Sequence, residues 1–150
     1  MHIIARLHAL QEVGLLFHGS PIRLTVIEPR AARDHTSEIG KLIAVYAADD
    51  YRLAIVKAIV QQCRPLFSYG WRLQDEHLHV RGFGVECKNG FVHVLKPDGF
   101  REVHDAHKVE IVSFQSVKPV HVFAVNADDL WAMPNCTFEL AKDFLTPPNF

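Results

Sequence analysis

A histidine, a glycine and a serine stand together at positions 18 to 20, directly after the apolar residues Leu15-Leu16-Phe17. Glycine has no side chain to keep a ligand away, so a ligand can approach the N–H and C=O of Gly19 closely. The Ser20 hydroxyl can donate or accept a further hydrogen bond. The three residues are equally consistent with an ordinary junction between a strand and a turn, which Pro21 also favours.

A tyrosine lies at the end of a second apolar segment, Lys41 to Ala47, whose composition predicts a buried strand. Asp49 and Asp50 follow, and either can cap a helix that begins near Tyr51. Apolar residues recur through that helix at intervals of three and four: Leu53, Ile55, Val56, Ile59 and Val60. A ring at the strand end, that of Tyr46, can form a flat wall for a planar ligand, or it can belong to the core.

These two segments resemble the first two motifs of the ADP-ribosyltransferase-like superfamily, in the form found in poly(ADP-ribose) polymerases and small bacterial relatives. The resemblance implies an α+β fold with a mixed, mainly antiparallel split β-sheet core and a few helices. It also implies that NAD is the substrate. Gly19 and Ser20 would then hold the nicotinamide amide, His18 would bond a ribose hydroxyl on the adenosine side, and Tyr46 would stack on nicotinamide.

The third motif of that superfamily is an acidic residue, usually glutamate, which binds the nicotinamide ribose and stabilises the transition state. The segment Val112 to Val120 resembles it, but Gln115 stands where the glutamate is expected. Glutamine keeps the size and a hydrogen-bond acceptor, yet it can neither take a proton nor offset positive charge. Glu110, Glu86 and Glu102 are the other acidic candidates.

A polar loop, Arg30 to Gly40, lies between the first two motifs. Arg30 or Arg33 can pair with the pyrophosphate of NAD, because a guanidinium forks onto phosphate oxygens. A solvated charged loop is an equal alternative.

The resemblance therefore predicts an ADP-ribosyltransferase, a pentosyl transferase that cleaves the nicotinamide–ribose bond and passes ADP-ribose to an unknown macromolecule. With water as acceptor the same protein would be an NAD glycohydrolase. The alternative from another class is a catalytically weak module that binds NAD or ADP-ribose, and Gln115 favours it. A third is a structural α+β domain whose motif matches are chance. No metal cofactor is expected. The resemblance to bacterial toxins implies that an antitoxin could be a partner protein.

Length, composition and net charge predict the number of domains and the class of protein. A chain of 150 residues, 49% of them hydrophobic, predicts one domain over residues 1–150. The net charge of −1 gives no positive field for nucleic acid or anionic membranes. Three unpaired cysteines and the lack of a leader or a membrane-length apolar run predict a cytoplasmic protein. His77 and His79 share one face of a predicted strand, a geometry that could hold a metal ion. No cysteine or carboxylate lies nearby at a ligand spacing, so a solvated strand face is favoured over a metal site.

Other patterns place the remaining elements. Apolar spacing predicts a helix over residues 2–11, ended by Gly14. The Asn89-Gly90 pair predicts a tight hairpin between strands at 84–87 and 91–95. Two more strands are predicted at 109–114 and 120–125, and a short helix near the C-terminus, at 137–145.

Overall fold

The computed structural model describes residues 2–31, 42–59, 70–83, 89–104 and 109–141. Within these ranges the helices are α1 (Ile3–Glu12), α2 (Tyr51–Ile59) and α3 (Ala127–Trp131). The strands are β1 (Leu16–Ser20), β2 (Val45–Ala47), β3 (Gly70–Gln74), β4 (His77–Phe83), β5 (Gly90–Leu95), β6 (Arg101–His104), β7 (Val109–Ser113), β8 (His121–Val125) and β9 (Cys136–Ala141). The α+β class predicted from the sequence is confirmed.

The strands form three small sheets, in the orders β1-β5-β8, β2-β7-β6 and β3-β4-β9. Neighbouring strands are antiparallel except for β4 and β9, which run parallel. The first two sheets touch at one antiparallel bridge, between Phe17 and Ala48. This junction matters for function, because it brings the strand that carries His18 beside the strand that carries Tyr46.

Helix α2 packs on the first sheet, and it begins where the sequence predicts. Asp50 caps it by accepting a hydrogen bond from the Arg52 N–H at 2.9 Å, and the Gln11 side chain accepts from the Tyr51 N–H at 2.8 Å. The helix approaches β1 and β5 closely at two glycines, because a Cβ at Gly19 or Gly90 would clash with backbone carbonyls of α2. The buried side chains of α2, β1, β5 and β8 form the main core.

A second, smaller core joins the other face of the first sheet to β2. Its buried members are Leu16, Ile27, Val45, Ala47 and Leu95. Side chains alternate along a strand, so Val45 and Ala47 face this core while Tyr46 projects from the opposite face of β2. In the described ranges the main core contains no residue of β2, β6 or β7, so the smaller core is what packs the second sheet against the first.

A buried arginine ties α2 to the third sheet. Arg52 forms an ion pair with Asp50 at 2.7 Å, and its Nη1 donates to the carbonyl oxygens of Glu76, Pro134 and Asn135, each at 3.1 Å. Glu76 belongs to the turn between β3 and β4, and Asn135 directly precedes β9. One guanidinium therefore joins the start of α2 to two separate segments beside the third sheet.

Two predicted elements are wrong. The hairpin at Asn89-Gly90 cannot form because β5 already pairs with β1 on one edge and with β8 on the other. Residues 84–88, which include its other strand, lie outside the described residues. The tight turn lies instead between β3 and β4, where Asp75 and Glu76 both have positive φ, 52° and 66°.

The predicted C-terminal helix is also wrong over its described part, because Cys136–Ala141 is strand β9 beside β4. Cys136 and Phe138 are partly buried against the core while Thr137 and Glu139 are exposed, which is a strand period of two. Residues 142–150 lie outside the described residues. Helix α3, which was not predicted, carries a capping box between Asn126 and Asp129.

No helix in the described ranges combines the length and the apolar character that crossing a membrane requires.

Candidate functional site

The candidate site lies where β1 separates from β2. Phe17 and Ala48 exchange both of their backbone hydrogen bonds, each 2.8 Å long. Backbone groups of alternate residues point to the same edge of a strand, so the N–H and C=O of Gly19 point toward the same side as those of Phe17. If the antiparallel pairing continued, Gly19 would be paired with Tyr46.

The His18 imidazole interrupts that pairing. Its Nδ1 lies 2.7 Å from the Tyr46 carbonyl oxygen, the group that Gly19 N–H would bond in a continued ladder. The Phe17–Ala48 bridge is isolated, and in the described part of the chain no second bridge pairs Gly19 with Tyr46. The N–H and C=O of Gly19 therefore face the opening between the two strands, where a ligand amide can exchange hydrogen bonds with both.

The tautomer and charge of His18 follow from the same contact. A carbonyl oxygen can only accept, so Nδ1 carries the hydrogen and donates it to Tyr46. Burial lowers the pKa of His18 from 6.5 to about 4; the bond to Tyr46 opposes this shift, and electrostatic interaction with His93, Lys57 and Arg30 adds to it. At neutral pH His18 is uncharged and its Nε2 is a hydrogen-bond acceptor, suited to a ligand hydroxyl.

Two cations lie near this imidazole. Arg30 exchanges backbone hydrogen bonds with Ala44 on the same edge of β2, at 3.0 and 3.2 Å, and its side chain is exposed. Both Arg30 and Lys57 of α2 are close enough for their charges to lower the pKa of His18. Arg30 and Lys57 therefore bring positive charge near the neutral imidazole, and a positive charge attracts an anionic ligand. Arg33, the other predicted phosphate partner, lies outside the described residues.

The structure gives Gly19 and Ser20 roles in the fold as well. A Cβ on Gly19 would lie 2.0 Å from the Ala54 carbonyl oxygen of α2, so α2 alone already requires glycine here. Ser20 is buried, and its Oγ accepts a hydrogen bond from the Ile22 N–H at 3.2 Å, which turns the chain after β1. The His18-Gly19-Ser20 segment is thus part of strand β1, not of the turn that follows.

Tyr46 is partly buried, and its hydroxyl donates to the Leu42 carbonyl oxygen at 2.8 Å. Its register partner on β7 is Val112, so the two side chains share one face of the second sheet. The backbone of Tyr46 thus contacts His18 directly, while its ring is anchored at the hydroxyl end by its own segment.

Gln115 lies two residues beyond β7, and it is exposed. Its backbone is fixed by Ser113, whose Oγ accepts from the Gln115 N–H at 3.3 Å and donates to the Gln115 carbonyl at 3.1 Å. The next residue, Ser116, bonds the carboxylate of Glu28, in the segment that leads to Arg30. Strand β7 lies on the edge of β2 opposite the junction with β1.

The other acidic candidates are dispersed. Glu110 is partly buried on β7, and Glu102 on β6 is paired with His104 at 3.3 Å on an exposed face. Glu86 lies outside the described residues. Of the predicted site residues, the structure brings His18, Gly19, Tyr46 and Arg30 to one strand edge.

One site residue was missed by the sequence analysis. His93 on β5 is fully buried, directly opposite His18, with the two ring centroids 6.0 Å apart. Its only sequence signal is a histidine within the apolar run Phe91 to Leu95, and buried histidines of that kind are common structural residues.

His77 and His79 lie on the polar face of the third sheet, as predicted. His77 contacts the Thr137 hydroxyl at 2.6 Å, and His79 lies 3.2 Å from the Glu139 carboxylate. In the described ranges no three His, Cys, Asp or Glu side chains come together in a way that could hold a metal ion.

Fold and site together define an α+β protein whose candidate ligand site is the edge between two small sheets. Comparison of the chain with protein-family models, with curated proteins and with solved structures found no match.

Proposed function

We propose that this protein is an NAD-dependent ADP-ribosyltransferase of the poly(ADP-ribose) polymerase type, with the split-sheet fold of that superfamily. One observation carries the proposal: the His18 ring holds the Tyr46 carbonyl and thereby leaves the peptide groups of Gly19 facing the opening between β1 and β2. The Gly19 backbone can bind the carboxamide of NAD, and the neighbouring His18 imidazole can accept a hydrogen bond from a ribose hydroxyl on the adenosine side.

Each residue at this edge has a distinct part in binding. The Gly19 N–H and C=O pair with the nicotinamide amide, and the Ser20 hydroxyl proton can reach it because Ser20 Oγ accepts, and does not donate, in its bond with the Ile22 N–H. The neutral His18 Nε2 accepts from a ribose hydroxyl. Arg30, with the nearby charge of Lys57, pairs with the pyrophosphate. Tyr46 supplies the aromatic wall for nicotinamide.

The reaction breaks the bond between the nicotinamide nitrogen and the anomeric carbon, and the bonding electrons leave with nicotinamide. A nucleophilic oxygen or nitrogen of the acceptor then bonds the anomeric carbon and loses its proton to solvent. When the acceptor is water, the products are nicotinamide, ADP-ribose and a proton. The resemblance assigns a hydrogen bond with the reacting ribose to Gln115, which follows the strand on the far side of β2 from β1. The acceptor is a macromolecule, and the resemblance to bacterial toxins adds an antitoxin as partner.

The second candidate function is an NAD- or ADP-ribose-binding module with little turnover. Gln115 favours it, because a neutral amide cannot offset the positive charge that develops at the anomeric carbon. The two candidates share the same binding edge and differ only in chemistry.

Binding is tested by calorimetry with NAD on the wild type and on His18→Asn. Asparagine places an N–H where His18 has Nδ1–H, so it keeps the bond to Tyr46 and removes only the Nε2 acceptor. We expect His18→Asn to weaken NAD binding by about tenfold, the effect of one hydrogen bond of about 1.4 kcal/mol. His104→Asn, on an exposed strand far along the chain, is the matched control and binds as the wild type does. Absence of NAD binding to the wild type refutes both candidate functions and favours a structural domain.

Turnover is tested by nicotinamide release and by label transfer from NAD. A wild type that binds NAD and releases nicotinamide is the transferase or glycohydrolase. Gln115→Glu restores the charge, and we expect it to raise the release rate by at least tenfold. A wild type that binds NAD without release, with an equally silent Gln115→Glu variant, selects the binding module.

A further inference from the structure

His93 makes two hydrogen bonds that join three segments of the candidate site. Its Nε2 lies 2.9 Å from the Leu24 N–H, in the segment that follows His18-Gly19-Ser20. Its Nδ1 lies 3.1 Å from the carbonyl oxygen of His18 itself. The side chain is completely buried in the middle strand of the first sheet.

The partners determine which nitrogen carries the hydrogen. An N–H can only donate, so Nε2 accepts from Leu24; a carbonyl can only accept, so Nδ1–H donates to His18. His93 therefore uses both ring nitrogens in its neutral form. Leucine would fill the space, but it would remove the acceptor of the part-buried Leu24 N–H and the side-chain bond to the His18 carbonyl.

A continuous series of hydrogen bonds results. Leu24 N–H donates to His93, His93 donates to the His18 carbonyl, and the His18 ring donates to the Tyr46 carbonyl. The series crosses from the segment after β1 to β5, back to β1, and on to β2. The backbone of His18 is thus fixed from one side and its ring from the other.

We propose that His93 is a positioning residue of the NAD site: through its two hydrogen bonds it holds the His18 backbone and the Leu24 segment so that His18 Nε2 faces the ligand as an acceptor. The inference rests on the proposed function for its ligand. It does not make His93 catalytic, because the side chain is buried and acts only through His18 and Leu24.

Two conservative variants separate the two bonds. His93→Asn places an N–H at the Nδ1 position and keeps the bond to the His18 carbonyl, whereas His93→Gln places a carbonyl near the Nε2 position and keeps the bond from Leu24. Two readouts need no NAD: hydrogen exchange of the Leu24 amide, and the His18 tautomer from imidazole nitrogen NMR. His121→Gln, an exposed histidine on β8 of the same sheet, is the matched control.

We expect a crossed pattern. His93→Asn exposes the Leu24 amide to exchange and leaves His18 as the Nδ1–H tautomer. His93→Gln keeps the Leu24 amide protected from exchange. It loses the bond to the His18 carbonyl, so the His18 ring is held less firmly against the Tyr46 carbonyl and the Nε2–H tautomer gains population. Each variant weakens NAD binding by about three- to tenfold, the loss of one hydrogen bond. Thermal unfolding at neutral pH shows that both variants are folded.

The proposal is overturned if folded variants lack the crossed pattern, whether both readouts stay as in the wild type or both change in both variants. It is also overturned if NAD affinity remains within twofold of the wild type in both. If the wild type itself binds no NAD, the proposed function fails first. The crossed pattern then still decides whether His93 positions His18.

Discussion

Acidification is expected to destabilise the fold through His18, because burial lowers its pKa from 6.5 to about 4. In the unfolded chain the imidazole regains its ordinary pKa, so between these values the unfolded state binds a proton that the folded state does not. The contribution of His18 to stability is therefore complete above pH 6.5 and is lost as the pH falls toward 4. Linkage gives a loss of about 1.4 kcal/mol by pH 5.5 and about 3 kcal/mol at pH 4.

The assay is urea unfolding of the wild type and of His18→Asn between pH 7.5 and pH 4. Asparagine keeps the donor to the Tyr46 carbonyl and does not titrate, whereas every other ionisable group is present in both proteins. The stability difference between the two proteins should change by about 3 kcal/mol across this range, to the disadvantage of the wild type at low pH.

A difference that stays constant with pH, to within about 0.5 kcal/mol, refutes the reasoning, since 3 kcal/mol is far above the usual error of such comparisons. So does an NMR titration that gives His18 an ordinary pKa near 6.5. Either result means that the ring is solvated, and it removes the argument that His18 is a neutral acceptor in the site.

Three further perturbations test the frame around the site. Gly19→Ala should lower the unfolding free energy by about 3 kcal/mol or more in urea titrations, because its Cβ would meet backbone that cannot give way; Gly14→Ala, where φ is +90° but nothing lies within 4 Å, should cost only about 1 kcal/mol, and equal costs contradict the packing argument. Arg52→Leu should lower the free energy of unfolding by about 3–5 kcal/mol, and with it the thermal midpoint, because the buried Asp50 carboxylate and three carbonyl oxygens lose their donor. An unchanged midpoint would show that the Arg52–Asp50 ion pair is not needed for stability. Glu76→Gly should stabilise the protein by about 1 kcal/mol in the same melts, since it relieves a positive φ of 66°, and a destabilised variant contradicts this.

Local signals in the sequence were sufficient for the elements that border the site. Helix α2 follows from an aspartate cap and an apolar period, and both lie within a dozen residues of chain. Strands β1 and β2 follow from short apolar runs. The closeness of His18 and Tyr46 came from the resemblance, and in the structure the His18 ring contacts the Tyr46 backbone.

The failures share one physical cause, which is pairing between distant segments. Gly90 belongs to a strand because β5 pairs with β1 and β8, and glycine is required there because a Cβ would lie 2.5 Å from the Ala58 carbonyl oxygen; no local pattern reveals either fact. Cys136–Ala141 has helix-forming residues, but its parallel pairing with β4 overrides them. His93 was missed for the same reason, since its partners are 75 and 69 residues away in the chain.

Gly19 shows why the motif needed the structure for its interpretation. One face of this residue is fixed by α2, so glycine is required here whether or not any ligand binds. The peptide groups of Gly19 point toward the opening between β1 and β2. This opening exists because the His18 ring bonds the Tyr46 carbonyl oxygen. A substitution at Gly19 destroys both features together and cannot distinguish them. The functional role must therefore be tested through His18, Arg30 and His93, whose side chains can be changed while the contact between β1 and α2 stays intact.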